Sequence, residues 1–497
     1  MKNDWWVPSK WDYETDVLVC GYGCGGSAAA IDAHDAGAEV LILEKMPKPG
    51  GSVAESGFVI MASETSAQKK FGIEDSADEF YKYLVASGGG FVDPKLMRII
   101  ADESASLIDW LIGLGLPYDN GDVYQSGAEI EYEAAAKPAP RGHRLPFTIP
   151  NYVAWDSIVK QVEKRGIQTM CNTRAMNLVA DPKTKEVFGV KALKDGKEVY
   201  IRANKGVILA TGGFNWNMDL MKAYLPEYVD CWTIVPPGAE GDGLIMAQRL
   251  GCAITTISMR PDMNPGLRGK AIYPDRDLPF AAGWARFAAA PRGPGIFVNT
   301  DGKRFVKEMQ FYDLFCPAIV RQKGCKCFAI FDEDARTVDN TIDQFIGYVF
   351  QSKHFEKEIA AGDMKQVDTI EQLAKIVGCD AAALKATIDK WNTDVANGVD
   401  TEFGNDQWLM PIKKPPFSIA ELRPATTDAV GGVKINENAE VIDLEGQIIP
   451  RLYAPGTLSG GWKGQIYPGS GWFMSGGFTF GRIAGKKAAA SKPSKIE

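Results

Sequence analysis

Two short apolar runs frame the start of the chain: Val17 to Cys20 and Val40 to Leu43 each have the length of a parallel strand buried on both faces. Between them, Ser27 to Ala36 is alanine-rich and reads as a helix. Asp75 to Ser87 and Pro94 to Leu114 carry the helical period, with Phe80, Tyr83 and Leu84 on one face. Trp155 to Arg165 reads as a helix, Gln168 to Val179 as one strand, and Val187 to Ile201 as a hairpin turning at Asp195-Gly196. Gly206 to Ala210 is another buried strand, and Leu244 to Leu250 is a helix. From about residue 273 the texture changes. Strands at Ile296 to Asn299 and Cys327 to Phe331 precede helical patterns through Ile370 to Val377 and Ala381 to Ala396. A strand at Leu452 to Gly456 and an amphipathic run from Phe478 to Ala484 close the pattern. It predicts an α/β chain with a discontinuous first domain, residues 1–272 and 422–497, and a smaller α/β domain inserted at 273–421. Tyr118 to Ile149 reads as a long irregular loop in which Tyr118, Tyr124 and Tyr132 are candidates to face a substrate.

The first strand, helix and second strand make a βαβ unit of about thirty residues, with Gly21, Gly23 and Gly26 at G-x-G-x-x-G spacing in its first turn. Gly21 lets the chain leave the strand sharply, Gly23 lets a pyrophosphate approach the backbone, and Gly26 lets helix and sheet pack closely. Gly25 and Ser27 lie where the helix N-terminus offers free N–H groups to phosphate. Glu44, at the tip of the second strand, suits both hydroxyls of an adenosine ribose, and Lys45 follows it. Gly51, Ser52, Ser56 and Gly57 form a small-residue loop fit to bond phosphate or the edge of a flavin. Thr211, Gly212 and Gly213 end a second buried strand, Asp242 opens a helix after Gly241, and Gly456 ends a third strand. All of these are expected at a dinucleotide cofactor.

Composition narrows the class. The 497 residues are 45% hydrophobic and 24% charged, ordinary for a globular protein, and enough for two domains. Fifty-five Lys and Arg against 63 Asp and Glu give a net charge of −8, which disfavours nucleic acid as a partner. Nine Cys without paired short spacing suggest reduced thiols in a cytoplasmic protein, and Cys325-x-Cys327 reads as a strand with two thiols. Three His leave little for a metal site, and none is expected. No apolar run reaches the roughly 18 residues of a membrane span, and Met1 to Tyr13 lacks the apolar core of a signal peptide.

These motifs, with Val298-Asn299, Gly302-x-Arg304-Phe305, Glu308 and Gly431-Gly432-Val433, resemble the flavoprotein family of fumarate reductase and the 3-ketosteroid dehydrogenases over nearly the whole chain. The resemblance implies FAD in a Rossmann-like domain with an inserted cap; no His-linked flavin site is visible in the sequence, so noncovalent binding is expected. In fumarate reductases a His follows the Ser459-Gly460-Gly461 region and helps hold a substrate carboxylate; here Trp462 and Lys463 stand there. Tyr467-Pro468-Gly469-Ser470-Gly471 instead is similar to the steroid enzymes, as are Trp11-Asp12-Tyr13 and Ala139-Pro140-Arg141-Gly142-His143.

By that analogy Tyr467 and the Gly471 N–H would hold a ketone oxygen as charge develops on it, and Tyr312 would move the proton; a shift of one position would put Phe311 in that slot. Arg336 sits where fumarate reductases place a proton-delivering Arg, and equally suits an ion pair with Asp332 or Asp334. Trp462, Trp472 and Phe473 suggest an apolar wall for a large flat substrate. The expected activity is desaturation or saturation of a C–C bond beside a ketone in a polycyclic, steroid-like molecule. Alternatives are reduction of a plant polyphenol or an unsaturated acid, and a non-catalytic flavin-binding or electron-relay protein. The electron donor or acceptor is not legible.

Overall fold

The computed structural model describes residues 7–146, 148–149, 151–255, 257, 263–268, 281–282, 295–308, 312–338, 353–406, 409–427, 429, 431–464 and 467–494. The chain forms two units: Met1–Tyr224 with Pro236–Ser258 and Asp428–Glu497, and Leu225–Val235 with Met259–Thr427. The boundary expected at 272/273 lies outside the described residues. The one expected at 421/422 falls inside the strand Phe417–Thr426.

The first unit is built on an eight-stranded sheet. Its central strand β1 (Tyr13–Cys20) pairs in parallel with β2 (Val40–Leu43) on one side and Lys197–Leu209 on the other. Ile448–Tyr453 continues the parallel order beyond Lys197–Leu209, and Gln168–Met170 beyond β2. The apolar runs seen in the sequence are these central strands, with Val17, Leu18 and Val19 fully buried. The expected single strand from Gln168 to Val179 is two. Asn172 turns at φ +51, and Thr173–Ala180 then pairs antiparallel with Val187–Lys194. The hairpin at Asp195-Gly196 forms as read.

Helix α1 (Cys24–Asp35) is alanine-rich because it is covered on both sides. Its partner is the helix Trp472–Ala490, which begins well before the expected Phe478. The two backbones approach so closely that a Cβ on Gly481 would lie 2.5 Å from the Gly25 carbonyl oxygen, and one on Gly485 2.2 Å from that of Ala29. The segment read as an irregular loop contributes two strands, Asp122–Tyr124 and Gly142–Arg144, to a three-stranded sheet with Ile60–Met61. Each strand is too short to show a period, which is why the pattern missed them.

The second unit centres on Phe417–Thr426, paired antiparallel with Cys327–Phe331, which pairs in turn with Ile296–Val298. Alternate residues feed two cores. Ile296 and Val298 pack with Leu384, Ile388 and Trp391 of the helix Ala381–Ala396, and Phe297 packs with Phe315 and Phe331 on the other face. The Gly302-x-Arg304-Phe305 and Glu308 motif is an internal brace. Buried Arg304 holds Glu308 at 2.7 Å and Asp400 at 2.8 Å. Cys327 lies in a strand as read, but Cys325 does not; it sits in the preceding turn at φ +50.

Candidate functional site

At the carboxyl ends of the parallel strands the first unit gathers its glycines. Gly21 leaves β1 at φ +102, where a Cβ would lie 2.3 Å from the Ala210 carbonyl oxygen, and a Cβ on Gly26 would lie 2.0 Å from that of Gly21. These two are glycine because protein packs against them. Gly23 and Gly456 differ. The nearest atom to a Cβ on Gly23 is the Gly50 oxygen at 3.7 Å, and one on Gly456, a buried residue at φ +77, would meet nothing within 4 Å. Gly456 abuts α1, its nitrogen 3.2 Å from where a Gly25 Cβ would be. No side chain caps the N-terminus of α1. An open cradle of bare backbone before an uncapped helix fits the pyrophosphate of a dinucleotide.

Glu44 follows β2 with its carboxylate buried; Oε2 accepts the Tyr22 N–H at 2.9 Å and Oε1 the Met46 N–H at 2.8 Å. Burial raises its pKa, against the pull of those N–H groups. Each oxygen keeps a lone pair for a ribose hydroxyl. Lys45 and Asp242 meet one another at 2.9 Å, joined by Glu240 and Arg174, so their charges are already matched within the protein. Thr211 Oγ1 accepts the Gly243 N–H at 3.1 Å, and the Gly213 carbonyl accepts from Gly241 N–H at 3.1 Å. Gly212 is left-handed at φ +76. Ser27 donates to the Cys24 carbonyl at 3.0 Å, inside the helix. Ser56 donates to Val53 at 2.8 Å, just past the short helical turn Gly51–Glu55 that holds Ser52; Gly57 lies beside Val59.

The second cluster of the first unit surrounds Tyr467 to Gly471. Tyr467 is half-buried, its ring 5.0 Å from that of Phe473. Gly471 heads the helix Trp472–Ala490 at φ +97, where a Cβ would lie 2.5 Å from the Val59 oxygen, and no side chain caps it. The turn is pinned from distant segments. The Tyr83 hydroxyl donates to the Pro468 carbonyl and accepts the Ala128 N–H at 3.1 Å. The Ser470 N–H donates to the Ser126 carbonyl at 2.9 Å, and Gly127 bridges Gly469.

Behind Tyr83 lies Arg141, 5.6 Å from its ring and fully buried, holding Asp75 through two hydrogen bonds of 2.9 and 2.7 Å. Glu129 is also buried. Its Oε2 accepts the Gly127 N–H at 3.0 Å, its Oε1 has no partner among the described residues, and burial pushes its pKa up to about 7. His143 Nδ1 donates to the Arg141 carbonyl at 2.9 Å and Nε2 accepts from Thr65 at 2.6 Å. Burial lowers its pKa to about 4, so the ring is neutral near pH 7 with Nε2 as the acceptor. Tyr83, Asp75 and Glu129 escaped the functional reading of the sequence because no motif marks them. Only Arg141 and His143 were singled out, through the resemblance.

Other expected residues fall differently. The Tyr118 hydroxyl is buried, donating to the Phe58 carbonyl at 2.7 Å, which removes it as a substrate contact. Tyr132 packs its ring 5.9 Å from Tyr83. Trp462 and Trp472 are both buried. Lys463 is buried as well, donating to the Thr457 carbonyl at 2.5 Å with its ammonium 5.1 Å from the Trp462 ring. In the second unit, Tyr312 is the first residue of the helix Tyr312–Val320; its side chain and Phe311 lie outside what is described. Arg336 pairs with Glu333 at 2.6 Å rather than with Asp332 or Asp334, because Asp332 caps its own helix.

Comparison with known proteins places this geometry. The family described as FAD binding domain matches residues 16–474. The fumarate reductase (cytochrome) of Shewanella frigidimarina is 32% identical, over 95% of this chain and 77% of that protein. The urocanate reductase of Eggerthella lenta is 30% identical, over 97% and 76%. The NADH:fumarate oxidoreductase of Klebsiella pneumoniae is 30% identical over 95% of this chain, which spans 47% of that relative. Among solved structures, the open conformation of a flavocytochrome c3 fumarate reductase is 29% identical, covering 97% of this chain and 79% of its own, with a TM-score of 0.80. The 3-ketosteroid-Δ4-(5α)-dehydrogenase of Rhodococcus jostii RHA1 is 28% identical over 97% and 98%, with a TM-score of 0.72.

Proposed function

The chain belongs to the FAD binding domain family, an oxidoreductase family acting on carbon–carbon double bonds, and on that premise we propose that it adds or removes hydrogen across a C–C bond beside a carbonyl, with a polycyclic ketone as the substrate class. Bound FAD supplies the hydride chemistry. Gly21, Gly23, Gly25 and Gly26 with the α1 N-terminus hold its pyrophosphate, and Glu44 its ribose. The Gly51–Gly57 loop, Thr211 to Gly213 and Gly456 supply close backbone. Lys45 and Asp242 brace this end through their ion pair rather than by direct contact.

The observation that carries the substrate reading is the pinned turn from Tyr467 to Gly471. Its half-buried phenol and helix N-terminus suit a carbonyl oxygen that gains negative charge. Tyr312 delivers the proton to the neighbouring carbon. A small dicarboxylate fits less well, since Trp462 is buried and Lys463 is directed at the Thr457 carbonyl. A second reading, reduction of an unsaturated acid, is favoured by the activities named for the Shewanella and Eggerthella relatives.

Anaerobic titration of the flavin-reduced protein tests both. A 3-keto-4-ene steroid is expected to reoxidise the flavin, and Tyr467→Phe to slow that step by about 100-fold with flavin content unchanged. Reoxidation by fumarate, urocanate or acrylate, with none by any enone, would establish the second reading. The nine free thiols support a cytoplasmic, reducing location, and among the described residues no helix is long and apolar enough to cross a membrane. The electron partner is left to reconstitution with candidate donors.

A further inference from the structure

Of the nine free cysteines, two in the second unit face each other. Cys231 Sγ and Cys325 Sγ are 3.5 Å apart across a sequence separation of 94 residues. Cys231 lies on Leu225–Val235, the short stretch that the second unit takes from between parts of the first. Its N–H donates to the Tyr228 carbonyl at 3.1 Å, and the Cys325 N–H donates to that of Gln322 at 3.0 Å, so backbone hydrogen bonds steady both ends. The strand pairing of Trp232–Thr233 with Ala425–Thr426 holds the first segment beside the strand that carries Arg423.

We propose that Cys231 and Cys325 are a peroxide-oxidised dithiol, forming a reversible disulfide that ties the Leu225–Val235 segment to the turn before the strand Cys327–Phe331. Bond formation needs the sulfurs to close from 3.5 Å to about 2.0 Å. No metal competes as an explanation, since among the described residues no group of three or more His, Cys, Asp or Glu could hold one.

The charges around the pair divide the roles. The hydrogen bond with the Cys231 thiol and the nearby Arg423 guanidinium lower the Cys325 pKa against burial and the Asp230 charge. That same hydrogen bond, with burial, raises Cys231. Cys325 is thus the attacking thiolate and Cys231 the resolving thiol. Cys325 thiolate takes an oxygen from hydrogen peroxide, giving a sulfenic acid and hydroxide. Cys231 sulfur then attacks the Cys325 sulfur and loses its proton, and the sulfenic oxygen leaves as water. Two thiols lose two electrons and one peroxide becomes two waters. A small oxidant suits the site because Cys325 is buried and Cys231 only partly exposed. A low-molecular-weight dithiol reverses the bond.

Cys20 and Cys252 make internal controls. Each is buried without a thiol partner, and burial pushes each up to about 12. The test uses the full-length, flavin-loaded protein treated with hydrogen peroxide, alkylated and mapped by peptide mass spectrometry. The expected result is a Cys231–Cys325 cross-linked peptide, loss of two titratable thiols per chain, full recovery with dithiothreitol, and no oxidation of Cys20 or Cys252. In C231S, Cys325 is expected to stop at a sulfenic acid that dimedone traps. Separate sulfinic acids on Cys231 and Cys325 in the wild-type chain, or thiol loss spread equally over all nine cysteines, would overturn the proposal without any variant being needed.

Discussion

The nucleotide cradle and the Tyr467 turn belong to one unit yet are built in opposite ways. The cradle is backbone: Gly21, Gly23 and Gly26 lie within six residues, and the one acid that matters, Glu44, is held by main-chain N–H groups. The turn is held from far away, by backbone pairing with Ser126 and Gly127 and by the Tyr83 side chain. Tyr83 reaches Pro468 across 385 positions, and Arg141, Asp75 and Glu129 stack behind it in a buried polar core. A backbone site tolerates changes of charge nearby and fails when a methyl group is added. A site hung on buried charges fails when one partner is lost.

The largest effect expected from this contrast is that of Arg141→Met. It leaves the Asp75 carboxylate buried without its cation, which costs about 3–5 kcal/mol. Denaturant unfolding should register that loss, and the folded fraction should still bind flavin; loss of flavin before loss of the turn would break the contrast. Next comes Gly21→Ala, at about 3 kcal/mol, because its Cβ would press on the Ala210 carbonyl at a left-handed φ. Gly23→Ala should melt like the wild type, having open space beside it, yet purify without flavin. A flavin-replete Gly23→Ala protein would remove the pyrophosphate from that position.

The most gradual effect is a pH dependence of the buried groups behind the turn. Glu129 holds its proton up to about pH 7 in the folded chain but releases it near 4.5 when unfolded. Stability from this group is therefore full below 4.5 and is lost as pH rises through 7, by up to about 3 kcal/mol. Glu129→Gln should gain stability over the wild type above pH 7 and match it near pH 4. His143 runs the other way. Its pKa falls from 6.5 to about 4, so its contribution is present above 6.5 and lost as pH drops through 4. Thermal melts of Glu129→Gln and His143→Gln between pH 4 and 8 should thus differ in the sign of their slope change.

The same contrast explains what could be read from the chain alone. Val17 to Glu44 was legible because strand, turn, helix and acid follow one another, and each residue type has a local physical reason. The break at Asn172 was not, although Asn tolerates the left-handed φ of +51 found there, because a lone Asn without Gly or Pro beside it is a weak turn signal inside a strand-like run. Glu129 was invisible because a buried acid looks like a surface acid until the fold covers it. The Lys45–Asp242 pair could not be seen because the partners are 197 positions apart. Tyr467, Gly471 and Arg141 were found only by resemblance, and Tyr83, Asp75 and Glu129 not at all as parts of the site.

The close seam between α1 and the helix Trp472–Ala490 also has a consequence in time. Asp32 on one helix meets Arg482 on the other, 450 residues later. At about 5–20 residues per second of synthesis, roughly 20–90 s separate the emergence of the two. During that interval the first βαβ unit exists without the helix that covers it and without Gly456. The cradle for the cofactor is therefore a late product of biosynthesis, although the motif that announces it is among the first residues made.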